Sequence, residues 1–101
     1  MPSPEAFHAA MIDLYHVVKR ECSGYVPSYF SQMVSDHGGL AAAKTLLHAS
    51  QVSSGFTRLW ELHRLDLTVE AFILQDQWRP LFSEEEVAIA KSRLQEYGYA
   101  T

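Results

Sequence analysis

The chain has 101 residues, 48% of them hydrophobic and 20% charged, which suits one globular domain over 1–101 burying about two-thirds of its unfolded surface and excludes the low-hydrophobicity signature of disorder. A single cysteine, Cys22, excludes an internal disulfide and argues against a Cys-based zinc site, favouring a reducing, cytoplasmic compartment; no run approaches the roughly 18 apolar residues of a membrane span, and "MPSPEAFHAAMIDLYH" lacks the basic and apolar regions of a secretory signal. The net charge of −4 arises in the second half, where residues 61–101 carry four basic and eight acidic groups against four and four in residues 1–60, and with no basic cluster larger than Lys19-Arg20 this balance argues against a nucleic-acid partner.

Ser3-Pro4-Glu5 reads as a helix start, combining a capping hydroxyl, a proline suited to the first position and an acid at the positive end of the dipole. At about 100° per residue, positions 7–22 place Phe7, Ala10, Met11, Leu14, Tyr15, Val17, Val18 and Cys22 on one arc, with His8, Asp13, His16, Lys19 and Arg20 facing solvent. Ser23-Gly24 ends this helix. Pro27 or Ser28 opens a second through "SYFSQMVSDH", with Phe30, Met33 and Val34 at helical spacing, and Gly38-Gly39 stops it. A third, "LAAAKTLLHA", turns Leu40, Ala43, Leu46 and Leu47 inward and offers Ala41, Ala42, Lys44, Thr45 and His48 to solvent.

Ser53 or Ser54 caps a fourth helix presenting Phe56, Leu59, Trp60 and His63 on one side. The following "RLDLTVE" alternates like a strand, but a lone strand has no partner in this chain and is marginal in water. The stretch is therefore predicted as a turn at 64–67, with Asp66 or Thr68 capping a fifth helix whose Val69, Phe72 and Ile73 face inward. Pro80 makes "DQWRPLF" a connector that lays Trp78, Leu81 and Phe82 across the bundle. Ser83-Glu84-Glu85-Glu86 matches the capping box of a sixth helix, which runs to about Tyr97, buries Val87, Ala90, Leu94 and Tyr97, and has Gly98 as its C′ residue. The expected fold is an all-α, single-domain bundle of five to six helices, with the first and last packed on the central hairpins.

The charges of "GFTRLWELHRLDLTVE" have a structural use: Glu61 can pair with Arg58 or Arg64, Asp66 can cap, and Glu70 suits a helix first turn. They also offer an acidic face for a partner's basic groups. The two Trp, five Tyr and five Phe include Tyr25, Tyr29, Trp78, Phe82, Tyr97 and Tyr99 near chain breaks; most are expected at the core or its edge with a polar handle at the rim, and the few left exposed can anchor an interface. The candidate interaction residues are accordingly Glu61, Arg64, Asp66, Glu70, Trp78, Tyr97 and Tyr99.

Reactive chemistry finds less support. Asp13 and His16 share a helix face, but zinc or iron needs three or four converging ligands and no H-E-x-x-H occurs, so no metal or other cofactor is expected. Cys22 at a helix C-terminus is not an activated thiol, and the serines of "SQVSSGF" lack the G-x-S-x-G setting. Helices two and three, joined by "DHGG", resemble a helix-turn-helix, yet the third shows alanines where a recognition helix shows Arg, Asn or Gln.

The strings "GYVPSYFSQMVSDHGGLAAAKTLLH", "GFTRLWELHRLDLTVE" and "LFSEEEVAIAKSRLQEYGY" occur in order over nearly the whole chain. In this the chain resembles a group of small, functionally uncharacterised bacterial helical proteins and appended modules. It departs from their pattern at Val26-Pro27, where a polar residue is frequent, and at His63, where Gly is common. The resemblance implies a bacterial accessory domain and supplies no catalytic residue. The expected function is a non-enzymatic protein-interaction or adaptor module in the bacterial cytoplasm, its partner a protein, a second copy included. The alternatives are a nucleic-acid-associated regulator using helices two and three, and a small metal-dependent enzyme using Asp13/His16 or Glu61/Asp66/Glu70.

Overall fold

Ser3 opens helix α1 (Pro4–Glu21) with its Oγ accepting the Ala6 N–H at 3.1 Å. A computed structural model describes residues 2–22 and 24–99, and among them the chain forms six α-helices, two 3-10 turns and no strand. Helix α1 buries Phe7, Met11, Leu14 and Val18, with Cys22 at its end, as the spacing predicts. His8 corrects that pattern. It does not project into water: the ring is half-buried and its Nδ1 accepts the Gly39 N–H at 2.9 Å.

Of the predicted stop, Ser23 lies outside the described residues, and Gly24 follows with φ 84°. Helix α2 (Ser28–His37) begins after Pro27 without a side-chain cap and buries Met33 and Val34. Gly38, at φ 87°, turns the chain directly into helix α3 (Gly39–His48).

Gly39 does more than stop a helix. A Cβ there would lie 2.7 Å from the His8 Cα and 3.2 Å from the Met11 Cγ, so the α1 and α3 backbones meet where only a hydrogen fits. Gly39→Ala should therefore destabilise the protein by about 1–3 kcal/mol, because backbone rather than a flexible side chain must move; a urea titration measures this. Ala42, expected in solvent, is fully buried together with Ala43 and Leu47. The reason is that α3 packs on α1 and α2 and also on α6, so its buried face is wider than one stripe.

Helix α4 (Ser54–Glu61) is capped by Ser53, whose Oγ accepts the Phe56 N–H at 3.0 Å. Phe56 and Leu59 are buried, but Trp60 is 44% exposed and His63 lies beyond the helix end at φ 60°. Here His63 donates its N–H to the Trp60 carbonyl and Arg64 to the Leu59 carbonyl, the paired bonds of a Schellman motif whose C′ position favours glycine. Helix α6 (Glu84–Glu96) closes with the same two bonds, the Gly98 N–H donating to the Gln95 carbonyl and the Tyr99 N–H to the Leu94 carbonyl. His63→Gly should relieve the left-handed backbone and stabilise the fold by about 0.5–1 kcal/mol, the gain being offset in part by a freer unfolded chain. A raised thermal midpoint would confirm it.

Leu65–Leu67 is a 3-10 turn, and Thr68 caps helix α5 (Val69–Ile73), its Oγ1 accepting the Ala71 N–H and donating to the Leu65 carbonyl. The strand-like alternation has a helical cause: a tight turn followed by a helix start brings Leu65, Leu67 and Val69 inward. A second 3-10 turn, Arg79–Leu81, carries the connector across the bundle. Trp78 and Phe82 meet the Phe7 ring edge-on, each at 5.4 Å, and Phe72 lies at 5.9 Å. Ser83 and Glu86 form the predicted capping box. Helix α6 packs on α3 and α5, and α1 packs on α2 and α3. Two abutting apolar clusters result, the smaller built on Phe56, Leu65 and Leu94.

Candidate functional site

The acids of the 55–70 stretch do not converge. Glu61 is exposed 3.6 Å from Arg58, and Arg64 bridges Glu21 at 2.9 Å and Asp66 at 3.1 Å. Pairs this exposed are worth little, because water screens them. Asp66 does not cap α5, since Thr68 holds that position. Glu70 corrects the acidic-face expectation outright: it is 3% exposed, with Oε2 3.2 Å from Arg93 Nη1. Burial pushes its carboxyl above the ordinary range, against its own backbone N–H and Arg93, which pull it down.

Trp78 lies across the bundle as expected, and its burial there removes it from the exposed interaction candidates. Its ring packs against Phe7 and Phe72, and its buried indole N–H has no hydrogen-bond partner. Tyr97 and Tyr99 are half-buried; Tyr97 packs edge-on against Phe56 at 5.0 Å and Trp60 at 5.5 Å. The seven candidates thus divide between surface ion pairs (Glu61, Arg64, Asp66), the rim of the smaller cluster (Tyr97, Tyr99) and the core (Glu70, Trp78).

Two clusters escaped sequence reasoning. Glu86, visible only as a capping residue, is 4% exposed. Its Oε1 accepts from Lys44 Nζ at 2.7 Å and from the Ser83 N–H at 2.8 Å, and its Oε2 lies 2.8 Å from His48 Nε2. Burial alone would raise its carboxyl, but the bonds from Lys44, Ser83 and His48 and the Lys44 charge outweigh it and hold the group at about 2. Lys44 also lies over the Phe82 ring. Arg93 donates to the Leu46 and Ala49 carbonyls at 2.9 and 2.6 Å as well as to Glu70. Local periodicity carries no signal for pairings this distant in sequence.

Lys44 and His48, the polar groups that a helix-turn-helix reading would turn towards DNA, are those that hold Glu86. Asp13 and His16 are both exposed on α1, and among the described residues no group of three His, Cys, Asp or Glu side chains could hold a metal ion. Burial raises the Cys22 thiol, so it is a poor nucleophile. No described helix is long and apolar enough to cross a membrane.

Concave, apolar surface is the remaining feature. A cavity of about 220 Å³ descends from Val26 and Tyr29, 51% and 63% exposed, between Leu14, Val18, Met33 and Leu46 to the buried Thr68 and Glu70. Beside it, an open groove of about 390 Å³ separates α1 from α2, lined by His8, Met11, Ile12, Tyr15 and His16 on one side and by Phe30, Ser31, Val34 and Ser35 on the other. Phe30 lines both depressions. No protein-family model, no curated protein and no solved structure matches the chain.

Proposed function

We propose that the chain is a non-catalytic protein-interaction module of a bacterial cytoplasmic system, an adaptor that receives an apolar helix of a partner protein in the groove between α1 and α2. The observation that carries this is the placement of its exposed apolar side chains. Of the four large hydrophobics exposed among the described residues, Ile12 lines the groove and Val26 and Tyr29 line the adjoining cavity, leaving Trp60 apart. An open channel between two helices, lined by Ile12 and Phe30 and adjoining a cavity lined by Val26 and Tyr29, suits the helix-in-groove mode of recognition, in which anchors one turn apart enter such a channel. Contiguous apolar surface of this kind marks interaction sites, whereas scattered single residues do not. The lone, buried Cys22 supports a reducing compartment, and the bacterial setting follows from the resemblance of the sequence.

The test is site-specific photocrosslinking in bacterial cells. A benzophenone side chain at position 29 should label a helical segment of one protein, and Ile12→Glu should abolish that adduct. The same label at position 88, exposed on α6, should give none. If the adduct is the chain itself, the partner is a second copy. Equal labelling from positions 29 and 88, or an adduct indifferent to Ile12→Glu, overturns the proposal.

A further inference from the structure

The cavity beneath Val26 and Tyr29 has a chemistry different from that of the open groove. Its walls are aliphatic and aromatic: Leu14 and Val18 from α1, Met33 from α2, Leu46 from α3 and Phe56 from α4. Its volume of about 220 Å³ exceeds the roughly 150 Å³ at which an engineered apolar cavity takes up benzene, so it has room for one ring and a short chain. Among the described residues of the lining, Glu70 is the one with a charged side chain, and it is almost wholly buried.

We propose that this cavity binds a small uncharged aromatic alcohol, its ring held by those walls and its hydroxyl hydrogen-bonded to the Glu70 carboxyl. Size and wall chemistry select the ring, and the floor selects the head group. Thr68 is no rival there, because its Oγ1 already donates to Leu65 and accepts from Ala71. Arg93 engages Glu70 through Oε2 and the residue's own backbone N–H draws on the same carboxyl, and two carboxylate oxygens have lone pairs for a further donor. Because Arg93 already balances the charge of Glu70, an ammonium would lose its hydration with little Coulombic return. An anion would meet a carboxylate among apolar walls, where an unpaired charge is costly. A hydroxyl donates to an ionised carboxyl and accepts from a protonated one, so it fits either state of Glu70. At the mouth, Tyr25, Ser28 and Ser54 supply hydroxyls that leave the entrance wettable.

This site does not depend on the docking proposal, since free probes need no partner protein and Ile12→Glu should leave their binding unchanged. The test follows methyl and amide NMR resonances of the full chain on titration with 2-phenylethanol, 3-phenylpropionate and ethylbenzene. The alcohol should produce saturable shifts at Leu14, Val18, Met33 and Leu46, with a dissociation constant of about a millimolar or below, as expected for so few heavy atoms. The carboxylate should bind at least about tenfold more weakly, and ethylbenzene more weakly than the alcohol. Leu46→Trp fills the cavity and should abolish the shifts; Ser54→Trp, on the exposed rim, makes the same test if the first variant fails to fold. Absence of saturable shifts for all three probes, shifts that survive the folded blocking variant, or an anion or hydrocarbon that binds as tightly as the alcohol overturns the proposal.

Discussion

Arg93→Met should lower the stability of the protein by about 3–5 kcal/mol, the range expected when one partner of a buried ion pair is removed. The side chain of Arg93 is 12% exposed and that of Glu70 4%, so neither is rescued by water when the other is lost. The same guanidinium satisfies the Leu46 and Ala49 carbonyls at the end of α3, and losing the bond to the half-buried Leu46 carbonyl adds to the loss, whereas water can replace it at the exposed Ala49. Urea denaturation at neutral pH measures the effect, and a loss below about 1 kcal/mol would show the pair to be dispensable. Adding Glu70→Gln to Arg93→Met should restore part of the stability, the remainder being the Leu46 carbonyl. The pH dependence has a definite sign. Burial raises the folded carboxyl of Glu70 above its unfolded value of about 4.5, so its contribution is greatest below that value and declines as pH rises through the folded one. Without Arg93 the carboxyl rises further, and Arg93→Met should recover stability on mild acidification.

The second large effect is acid sensitivity centred on Glu86. Its folded carboxyl is held at about 2, below its unfolded value of 4.5. The stabilisation is therefore fully present above about pH 4.5 and is lost as pH falls towards 2. By linkage this amounts to roughly 3 kcal/mol. Glu86→Gln keeps an oxygen that can accept the Ser83 N–H but loses the charge that holds Lys44 and, when protonated, His48. The variant should be less stable at neutral pH by about 2–3 kcal/mol, and the gap from the unaltered protein should close between pH 5 and 2. Thermal melts of both proteins over that range provide the comparison, and a constant gap would contradict it. Comparing the two proteins at each pH removes the opposing contribution of Glu70, which is common to both.

Features encoded within a few residues were legible in the sequence. Ser3, Ser53, Thr68 and Ser83 each cap a helix through a bond three residues on, and Pro27 and Gly38 mark the uncapped starts of α2 and α3, so local spelling was enough to divide the chain into helices. The end of α6 was legible because Gly98 stands at its C′ position. The end of α4 was hidden because His63 occupies the equivalent place. Contacts between distant residues left no such trace: Gly39 against His8, Lys44 with Glu86, and Arg93 with Glu70 each join different helices. Glu70 and Trp78 stand among the candidate interaction residues for the same reason, since a first-turn acid and an aromatic beside a proline look alike whether another helix covers them or not. Tyr29 was legible as an aromatic near a break. Its continuity with Ile12 and Phe30 was not, because it depends on α2 folding back beside α1.

The position of α3 has a consequence for how the chain can be divided. One end of it meets His8 through Gly39, and its far side is fastened to α6 through Lys44, His48 and the Arg93 bonds to Leu46 and Ala49. A cut in the connector at residues 49–52 would leave α3 with only its N-terminal neighbours, and would part Glu86 from Lys44 and His48 and Arg93 from the Leu46 carbonyl. Two such pieces would each expose what the other covers, and reassociation of the fragments would have to be directed by this central helix.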